Sequence, residues 1–249
     1  MDENFKLNAY VTNLGKYNEG QLVGEWVSFP TTAEHMQGVL DRIGIGKGYE
    51  EYFITDYDTD LPNIAKIAGE YESLDKLNYL GVKLQELSSD ELDQFKEILE
   101  SDVGLDEVES VTAYINLTDN LDHYTIYPDV TNEKQLGEYV LYESGAYDVD
   151  KLGDLAMYID CEALGRDTRL NDGGEFTRDS YVINDQSRWD ITFDGKLESI
   201  PSEYRVTGSG QNQGDQPSNA IEDAINQSDL QAVADEMMME SSVGMEPVQ

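Results

Sequence analysis

The sequence predicts an α+β fold, because short segments of strand and helix periodicity alternate along most of the chain. Apolar residues alternate with polar ones in residues 5–12, and they recur at helical spacing in residues 36–43. A hydrophobic content of 39% with 16 tyrosines provides the core that a disordered acidic chain lacks. We expect three small modules followed by a C-terminal extension.

The first module, residues 1–60, is predicted to be a small α+β unit. Thr31 and Glu34 have the spacing of a capping box, so a helix should begin there and end at Gly44. A turn-rich stretch separates the first two of its three strand-like segments, which should pair as a hairpin. These segments are residues 5–12, 22–29 and 51–55.

The second module, residues 61–107, is predicted to be a small helical bundle. Ser88 and Glu91 have the spacing of another capping box and should start its last helix. Apolar residues recur at helical spacing in three stretches, at residues 64–71, 74–87 and 92–99.

The third module, residues 108–187, mixes both periodicities. Residues 110–117 fit a strand or a helix equally well. The other predicted elements are strands at 124–127 and 174–183 and helices at 132–143 and 151–165.

The remaining residues, 188–249, form the extension. A further hairpin is predicted around Asp194 and Gly195. From about residue 207 the composition predicts a flexible acidic tail, with a short amphipathic helix as the alternative.

Charge is the strongest compositional signal. The chain has 52 Asp and Glu against 16 Lys and Arg, a formal net charge of −36. At the charge density of duplex DNA, roughly one charge per 1.7 Å, this corresponds to about 60 Å of duplex. Such a surface repels nucleic acid and anionic membranes, so its partner should be basic. This charge is compatible with a DNA-like decoy, with a binder of basic proteins and with a protein adapted to high salt. The Tyr, Ile and Leu content argues against adaptation to high salt.

Little in the sequence indicates catalysis, a metal or a cofactor. His35 and His123 have no neighbouring His or Cys that would complete a metal site. Residues 44–48 lack the spacing of a phosphate loop, and residues 56–67 lack the glycine and final glutamate of a calcium loop. We therefore expect neither enzyme activity nor a bound cofactor, although carboxylate pairs suited to glycoside hydrolysis remain an alternative.

Three features favour a cytoplasmic location. The N-terminus lacks the basic and apolar regions of a signal peptide, and no apolar run is long enough to span a membrane. A single cysteine, Cys161, excludes an internal disulfide and fits a reducing compartment.

Acidic residues follow one face of the last helix of the second module. Asp90, Asp93, Glu97 and Glu100 recur every three or four residues, so neighbouring carboxylates should lie about 5 Å apart. Plain solvation explains one such face, but repetition along the chain favours a surface for a cationic target, which we call the mimic surface because a DNA-like decoy would need it. The further carboxylates assigned to that surface are Asp102, Asp106, Glu107, Glu109, Asp119, Asp122, Glu133, Glu138 and Glu143.

The predicted helix at 151–165 has apolar residues on two sides. Leu152, Leu155 and Ile159 lie on one side, and Met157 and Leu164 lie on the other. Such a helix is buried on both sides. Either it is sandwiched in the core or it forms a subunit interface.

Several sequence blocks resemble the ArdA family of antirestriction proteins. The segment LGDLAMYIDCEALGRD at 152–167 is similar to the family's antirestriction motif, although Cys161 and Leu164 stand where bulkier residues are expected. The motif-like positions are Leu152, Asp154, Leu155, Met157, Tyr158, Asp160, Cys161, Glu162, Leu164 and Asp167. Other similar blocks are YVTNLGKYNEG (10–20), GEWV (24–27), FPTTAE (29–34), IGIG (43–46), EYFITD (51–56) and NDGGEF (171–176).

The resemblance implies an elongated, acidic protein of three modules that dimerises through its last module, with the motif segment at the dimer interface. The dimer would mimic DNA. Members of the family are carried on conjugative elements and occupy the DNA-binding groove of type I restriction-modification enzymes. The alternative is an acidic binding module for another basic DNA-binding protein, such as a nucleoid protein or a nuclease.

Overall fold

The computed structural model describes residues 5–101, 103 and 110–208. It confirms the α+β class, because helices alternate with two antiparallel three-stranded sheets. In the first 60 residues the elements are β1 (Leu7–Asn13), α1 (Leu14–Asn18), β2 (Gly24–Ser28), α2 (Ala33–Ile43) and β3 (Tyr52–Thr59).

The first sheet has the strand order β2-β1-β3. The predicted hairpin of β1 with β2 is confirmed, and Tyr10 is paired with Trp26 across it. Ala9 and Val11 are fully buried, whereas Tyr10 between them points to the opposite face of the sheet. The turn-rich stretch after β1 also contains the short helix α1, which the sequence analysis did not predict.

Local signals predicted α2 closely, with one correction at its start. The N-cap is Thr32, whose hydroxyl accepts a hydrogen bond from the His35 N–H, and it is not Thr31. The backbone N–H of Thr31 instead donates to the Asn78 side chain, which holds that residue outside the helix. Gly44 ends the helix in the left-handed region at φ 92°, as predicted.

The next elements are helical, as predicted: α3 (Ile64–Ala68), α4 (Leu74–Glu86) and α5 (Ser89–Ser101). The capping box before α5 is confirmed, because the Ser88 N–H donates to the Glu91 carboxylate at 2.8 Å and the Glu91 N–H donates to the Ser88 hydroxyl at 3.3 Å. Tyr71 lies beyond α3, because Gly69 ends that helix in a conformation with positive φ.

The segment for which strand and helix were equally compatible is a helix, α6 (Val111–Leu117). Ser110 caps it by accepting a hydrogen bond from the Ala113 N–H. Tyr114 is buried, and its hydroxyl donates to the Pro62 carbonyl at 3.1 Å. Packing against earlier elements therefore decides the conformation of this short apolar segment.

The second sheet has the strand order β4-β6-β5. The region contains β4 (Tyr124–Pro128), α7 (Glu133–Tyr142), α8 (Val149–Leu152), α9 (Cys161–Asp172), β5 (Glu175–Phe176) and β6 (Ser180–Asn184). The single strand predicted at 174–183 is therefore a hairpin of two strands.

The prediction of one helix at 151–165 is wrong. The chain leaves α8 at Gly153, which has φ 53°, and continues as a 3-10 helix, Gly153–Tyr158. It enters α9 at Asp160, whose carboxylate accepts a hydrogen bond from the Ala163 N–H at 3.0 Å. A glycine with positive φ and a new N-cap interrupt the helical periodicity.

The prediction of a hairpin around Asp194 and Gly195 is also wrong, since no strand follows β6 in the described residues up to 208. The backbone there pairs with buried side chains of earlier helices. Asn116 accepts a hydrogen bond from the Phe193 N–H at 3.0 Å and donates to the Phe193 carbonyl at 2.9 Å. We call residues 185–208 the strap, because Asn116, Asn120 and Asp75 bind it in this way.

One apolar core runs through much of the described chain, from Phe5 to Val206. A second, smaller cluster joins Val130, Leu136 and Tyr181 beneath the second sheet. The first cluster crosses the predicted boundaries at residues 60 and 107, and the division into modules stays a prediction.

Candidate functional site

The acidic face predicted on α5 divides into exposed and anchored carboxylates. Asp90, Asp93 and Glu100 are exposed. Glu97 is only partly exposed, because one of its carboxylate oxygens accepts hydrogen bonds from the hydroxyls of Thr177 and Ser180, at 2.8 Å and 2.7 Å. Three of the four carboxylates therefore face solvent, and the fourth holds the turn between β5 and β6 against α5.

Negative charge is stabilised at the N-terminal end of α5 but not at its C-terminal end. Asp90 and Glu91 lie in the first turn, where the helix macrodipole stabilises carboxylates. The pKa of Glu91 is lowered because its carboxylate accepts the Ser88 hydrogen bonds. The last turn contains no basic residue, so Glu100 lies near the negative end of the dipole without compensation from its own helix. The negative charge at this end costs helix stability.

The other carboxylates assigned to the mimic surface have varied surroundings. Asp119 is bound by Lys83 at 2.6 Å and by the Thr192 hydroxyl at 2.7 Å, so it anchors the strap. Glu138 lies 3.7 Å from Lys134 on the same helix. Asp122 and Glu143 are exposed and Glu133 is partly exposed. Asp102, Asp106, Glu107 and Glu109 lie outside the described residues.

Most of the positive charge is paired locally. Within the part of the chain that the structure describes, the side chains that lie within 4 Å of a carboxylate include ten cations: Lys6, Arg42, Lys76, Lys83, Lys96, Lys134, Lys151, Arg169, Arg178 and Lys196. Such pairs contribute only about 0–1 kcal/mol each when exposed. Their main effect is on the outward field, which stays negative because carboxylates outnumber cations about threefold.

The motif-like segment exposes large apolar side chains. Leu155, Met157 and Tyr158 are 68%, 71% and 80% exposed, and all three lie in the 3-10 helix between α8 and α9. In the same segment only Ala156 is buried. The other apolar motif positions, Leu152, Cys161 and Leu164, are partly buried. The apolar surface that the sequence indicated is real, but it lies on an exposed 3-10 segment and not on a helix sandwiched in the core.

The acidic motif positions lie around this segment. Asp160 is the N-cap of α9, and Asp154, Glu162 and Asp167 are exposed. Single exposed apolar residues are ordinary on a protein surface, but three large ones within four positions make this segment a candidate interaction site.

Helices α7 and α9 cross with their backbones in direct contact. A Cβ atom on Gly137 would lie 1.8 Å from the Cys161 carbonyl oxygen, and one on Gly165 would lie 1.7 Å from the Glu133 carbonyl oxygen. Only glycine fits at either position. The sequence analysis did not predict this contact. The pattern that could have indicated it is the presence of two glycines inside otherwise helical segments. The crossing positions the second half of the motif-like segment.

His123 lies in a cluster that resembles a catalytic triad only by composition. Asp185 Oδ1 lies 3.3 Å from His123 Nδ1, and the Ser187 hydroxyl contacts the same nitrogen. In a Ser-His-Asp triad the serine and the aspartate contact different ring nitrogens. Here both partners contact Nδ1, so the arrangement is not that of a triad. The cluster links the start of the strap to His123, the residue before β4.

The part of the chain that the structure describes contains no group of His, Cys, Asp and Glu arranged to hold a metal ion. Among the helices of those residues, none combines the length and the apolar character that crossing a membrane requires.

These features define an acidic α+β protein with an open, carboxylate-rich surface and an exposed apolar segment. The family model described as antirestriction protein (ArdA) matches residues 9–183. Because this is more than two thirds of the chain, the chain belongs to the ArdA antirestriction family. None of the curated proteins searched matches the chain. The family match ends in β6, so the strap lies beyond it.

Proposed function

We propose that this protein blocks a type I restriction-modification enzyme by occupying its DNA-binding groove as a mimic of duplex DNA. The observation that carries the proposal is the family match, which includes both α5 and the motif-like segment. The net charge of −36 supports the mimicry, because a groove that binds DNA attracts the same negative field. By this action the protein protects mobile DNA, such as a conjugative element, when it enters a cell.

The exposed carboxylates of α5 suit such a groove. Asp90, Asp93 and Glu100 lie on one helix and span about 15 Å along its axis, at 1.5 Å per residue. Proteins that bind DNA neutralise phosphates with Lys and Arg, and carboxylates exposed along one helix offer the same cations negatively charged partners, although more sparsely than the duplex does. Because the charge is distributed, each carboxylate contributes little by itself.

The proposed action needs no chemistry and no cofactor, and it takes place in the cytoplasm, where restriction enzymes meet incoming DNA. Inhibition should therefore be stoichiometric. Titration of the protein against a fixed amount of restriction enzyme should give an endpoint that scales with the enzyme concentration. Inhibition far below equimolar amounts would contradict binding as the mechanism.

We further propose a homodimer formed through the exposed 3-10 segment. Leu155, Met157 and Tyr158 expose apolar surface that a second copy would cover. A two-fold interface is self-complementary, so the same three side chains would be buried on both copies. The dimer doubles the length of acidic surface offered to the enzyme.

A charge-matched comparison tests the α5 surface. The double variant Asp90→Asn/Asp93→Asn should weaken inhibition clearly, whereas Asp93→Asn alone should change binding by less than about 1 kcal/mol. The control, Glu198→Gln/Glu203→Gln, removes the same charge from exposed residues beyond the family match. If both double variants weaken inhibition equally, only net charge matters and the α5 face has no special role.

The alternative function is binding to another basic DNA-binding protein, such as a nucleoid protein or a nuclease. The acidic surface alone is compatible with both. Electrophoretic competition separates them: the proposed protein displaces duplex DNA from the restriction enzyme, and it leaves DNA complexes of nucleoid proteins intact at the same concentration. The reverse pattern would favour the alternative.

A further inference from the structure

The first sheet carries an aromatic groove on the face opposite Ala9 and Val11. The groove has a volume of about 450 Å³, within the range of small-ligand sites. We define the aromatic groove by six of the residues that line it: Tyr10, Tyr17, Trp26, Phe53, Asp56 and Glu70.

The aromatic rings of the groove do not belong to either apolar core cluster. Tyr17 and Trp26 are nearly half exposed, at 45% and 46%, and Leu22 beside them is 80% exposed. The solvent face of an antiparallel sheet normally carries polar residues. Phe53 is buried, but core packing does not account for the exposed rings of Tyr17 and Trp26.

The rings are held in place by their neighbours. Tyr10 and Trp26 meet edge to face at 5.2 Å between centroids, and Tyr17 and Phe53 do so at 5.1 Å. The Tyr10 hydroxyl donates to the Gly24 carbonyl at 2.9 Å. A Cβ atom on Gly24 would lie 2.6 Å from the Tyr10 ring, so this glycine keeps space for the ring. The groove is thus formed before any ligand binds.

The charge of the groove has one sign. Asp56 and Glu70 are exposed at its edge, and none of its described lining residues is a Lys or an Arg. Aromatic faces beside carboxylates attract a cation, because the ring quadrupole and the negative charges act together.

We propose that the aromatic groove binds an arginine side chain of a basic protein partner. A guanidinium is planar, stacks on aromatic rings and forms paired hydrogen bonds with a carboxylate, whereas an ammonium is compact and strongly hydrated. Trp26 and Tyr10 provide the stacking surface, and Asp56 or Glu70 provides the carboxylate. The residues that line this site belong neither to α5 nor to the motif-like segment, and its chemistry does not depend on which protein carries the arginine.

The probe is a blocked tripeptide, acetyl-Gly-Arg-Gly-amide, added to the full-length protein at constant ionic strength. The chain has two tryptophans, so the indole N–H region of the NMR spectrum contains two signals, which Trp26→Phe assigns. The Trp26 signal should shift saturably, and the Trp189 signal should not. The same peptide with citrulline keeps the shape but has no charge, and it should bind at least about fivefold more weakly.

Two variants locate the binding. Asp56→Asn/Glu70→Gln removes two exposed carboxylates and should weaken binding about threefold or more. The control Glu198→Gln/Glu203→Gln makes the same change in net charge and should leave binding unaltered. Both pairs are exposed, so the variants should fold, and this is checked by their circular dichroism and thermal unfolding.

Three results would overturn the proposal. The first is that the citrulline peptide binds as tightly as the arginine peptide, and the second is that a lysine peptide does. The third is that both indole signals shift in parallel and that the two charge variants weaken binding equally. The titration contains no restriction enzyme. Its failure would leave the proposed function standing, and a failure of the restriction assay would leave this site standing.

Discussion

The contact between α7 and α9 leads to a prediction that opposes helix propensity. Gly165 lies inside α9, where replacing glycine by alanine normally stabilises a helix by about 1 kcal/mol. Here we expect Gly165→Ala to destabilise the protein. The added methyl group would lie 1.7 Å from the Glu133 carbonyl oxygen and 2.7 Å from the Gly137 nitrogen, and both atoms belong to a rigid helix backbone.

The structure sets the size of the effect. To reach ordinary van der Waals contact, the distance from the new methyl group to the Glu133 oxygen must grow from 1.7 Å to at least 3.4 Å. The two helices must therefore separate along much of their contact, which loosens the small cluster around Leu136 and Tyr181. Overpacking typically costs about 1–3 kcal/mol, and separation of two backbones lies at the upper end. After the gain in propensity, a net loss of about 2 kcal/mol remains.

Equilibrium unfolding in urea, followed by circular dichroism, measures this loss. The matched control is Gly38→Ala in α2, where the nearest atom to the new methyl group is Arg42 Nη1 at 3.1 Å, the end of a flexible side chain. That variant should be as stable as the wild type or up to about 1 kcal/mol more stable. If Gly165→Ala gains stability as Gly38→Ala does, the close crossing of α7 and α9 is refuted.

Three further predictions concern the interface, the capping box and the strap. Met157→Glu should convert the proposed dimer into monomers in sedimentation at micromolar concentration, because it buries two like charges in an apolar contact. Leu22→Glu, on a similarly exposed residue of the loop before β2, should not. An intact Met157→Glu dimer would exclude the segment from the interface. Glu91→Ala should destabilise the protein at about pH 6, because folding lowers the pKa of the Glu91 carboxyl. The stabilisation is present above the unfolded-state pKa of about 4.3 and disappears as the pH falls through the lower folded-state pKa. Urea unfolding at about pH 6 and at a pH below the folded-state pKa should show that the stability difference between wild type and variant shrinks. Asn116→Ala should cost about 2–4 kcal/mol in urea unfolding, because it leaves buried backbone groups of the strap without partners, and a loss below about 0.5 kcal/mol would show that the strap contributes little.

Elements with local signals could be predicted from the sequence. The reciprocal hydrogen bonds of Ser88 and Glu91 start α5, and Gly44 ends α2, in both cases through contacts within four residues. The alternation in β1 and β2 likewise predicted their pairing. The acidic character of the protein and its family blocks are also sequence properties, because they need no knowledge of which residues meet.

Contacts between distant residues decided the rest. The choice of helix for residues 111–117, the role of Glu97 as a brace and the strap on Asn116 all depend on partners more than 50 positions away. The carboxylates of α5 look alike in sequence, and only the hairpin of β5 with β6 distinguishes Glu97 from its exposed neighbours. Hydrophobic periodicity indicated apolar surface at 151–165, but it could not show the break at Gly153 or the crossing at Gly165. Both depend on backbone conformation and close packing, which the order of apolar and polar residues does not encode.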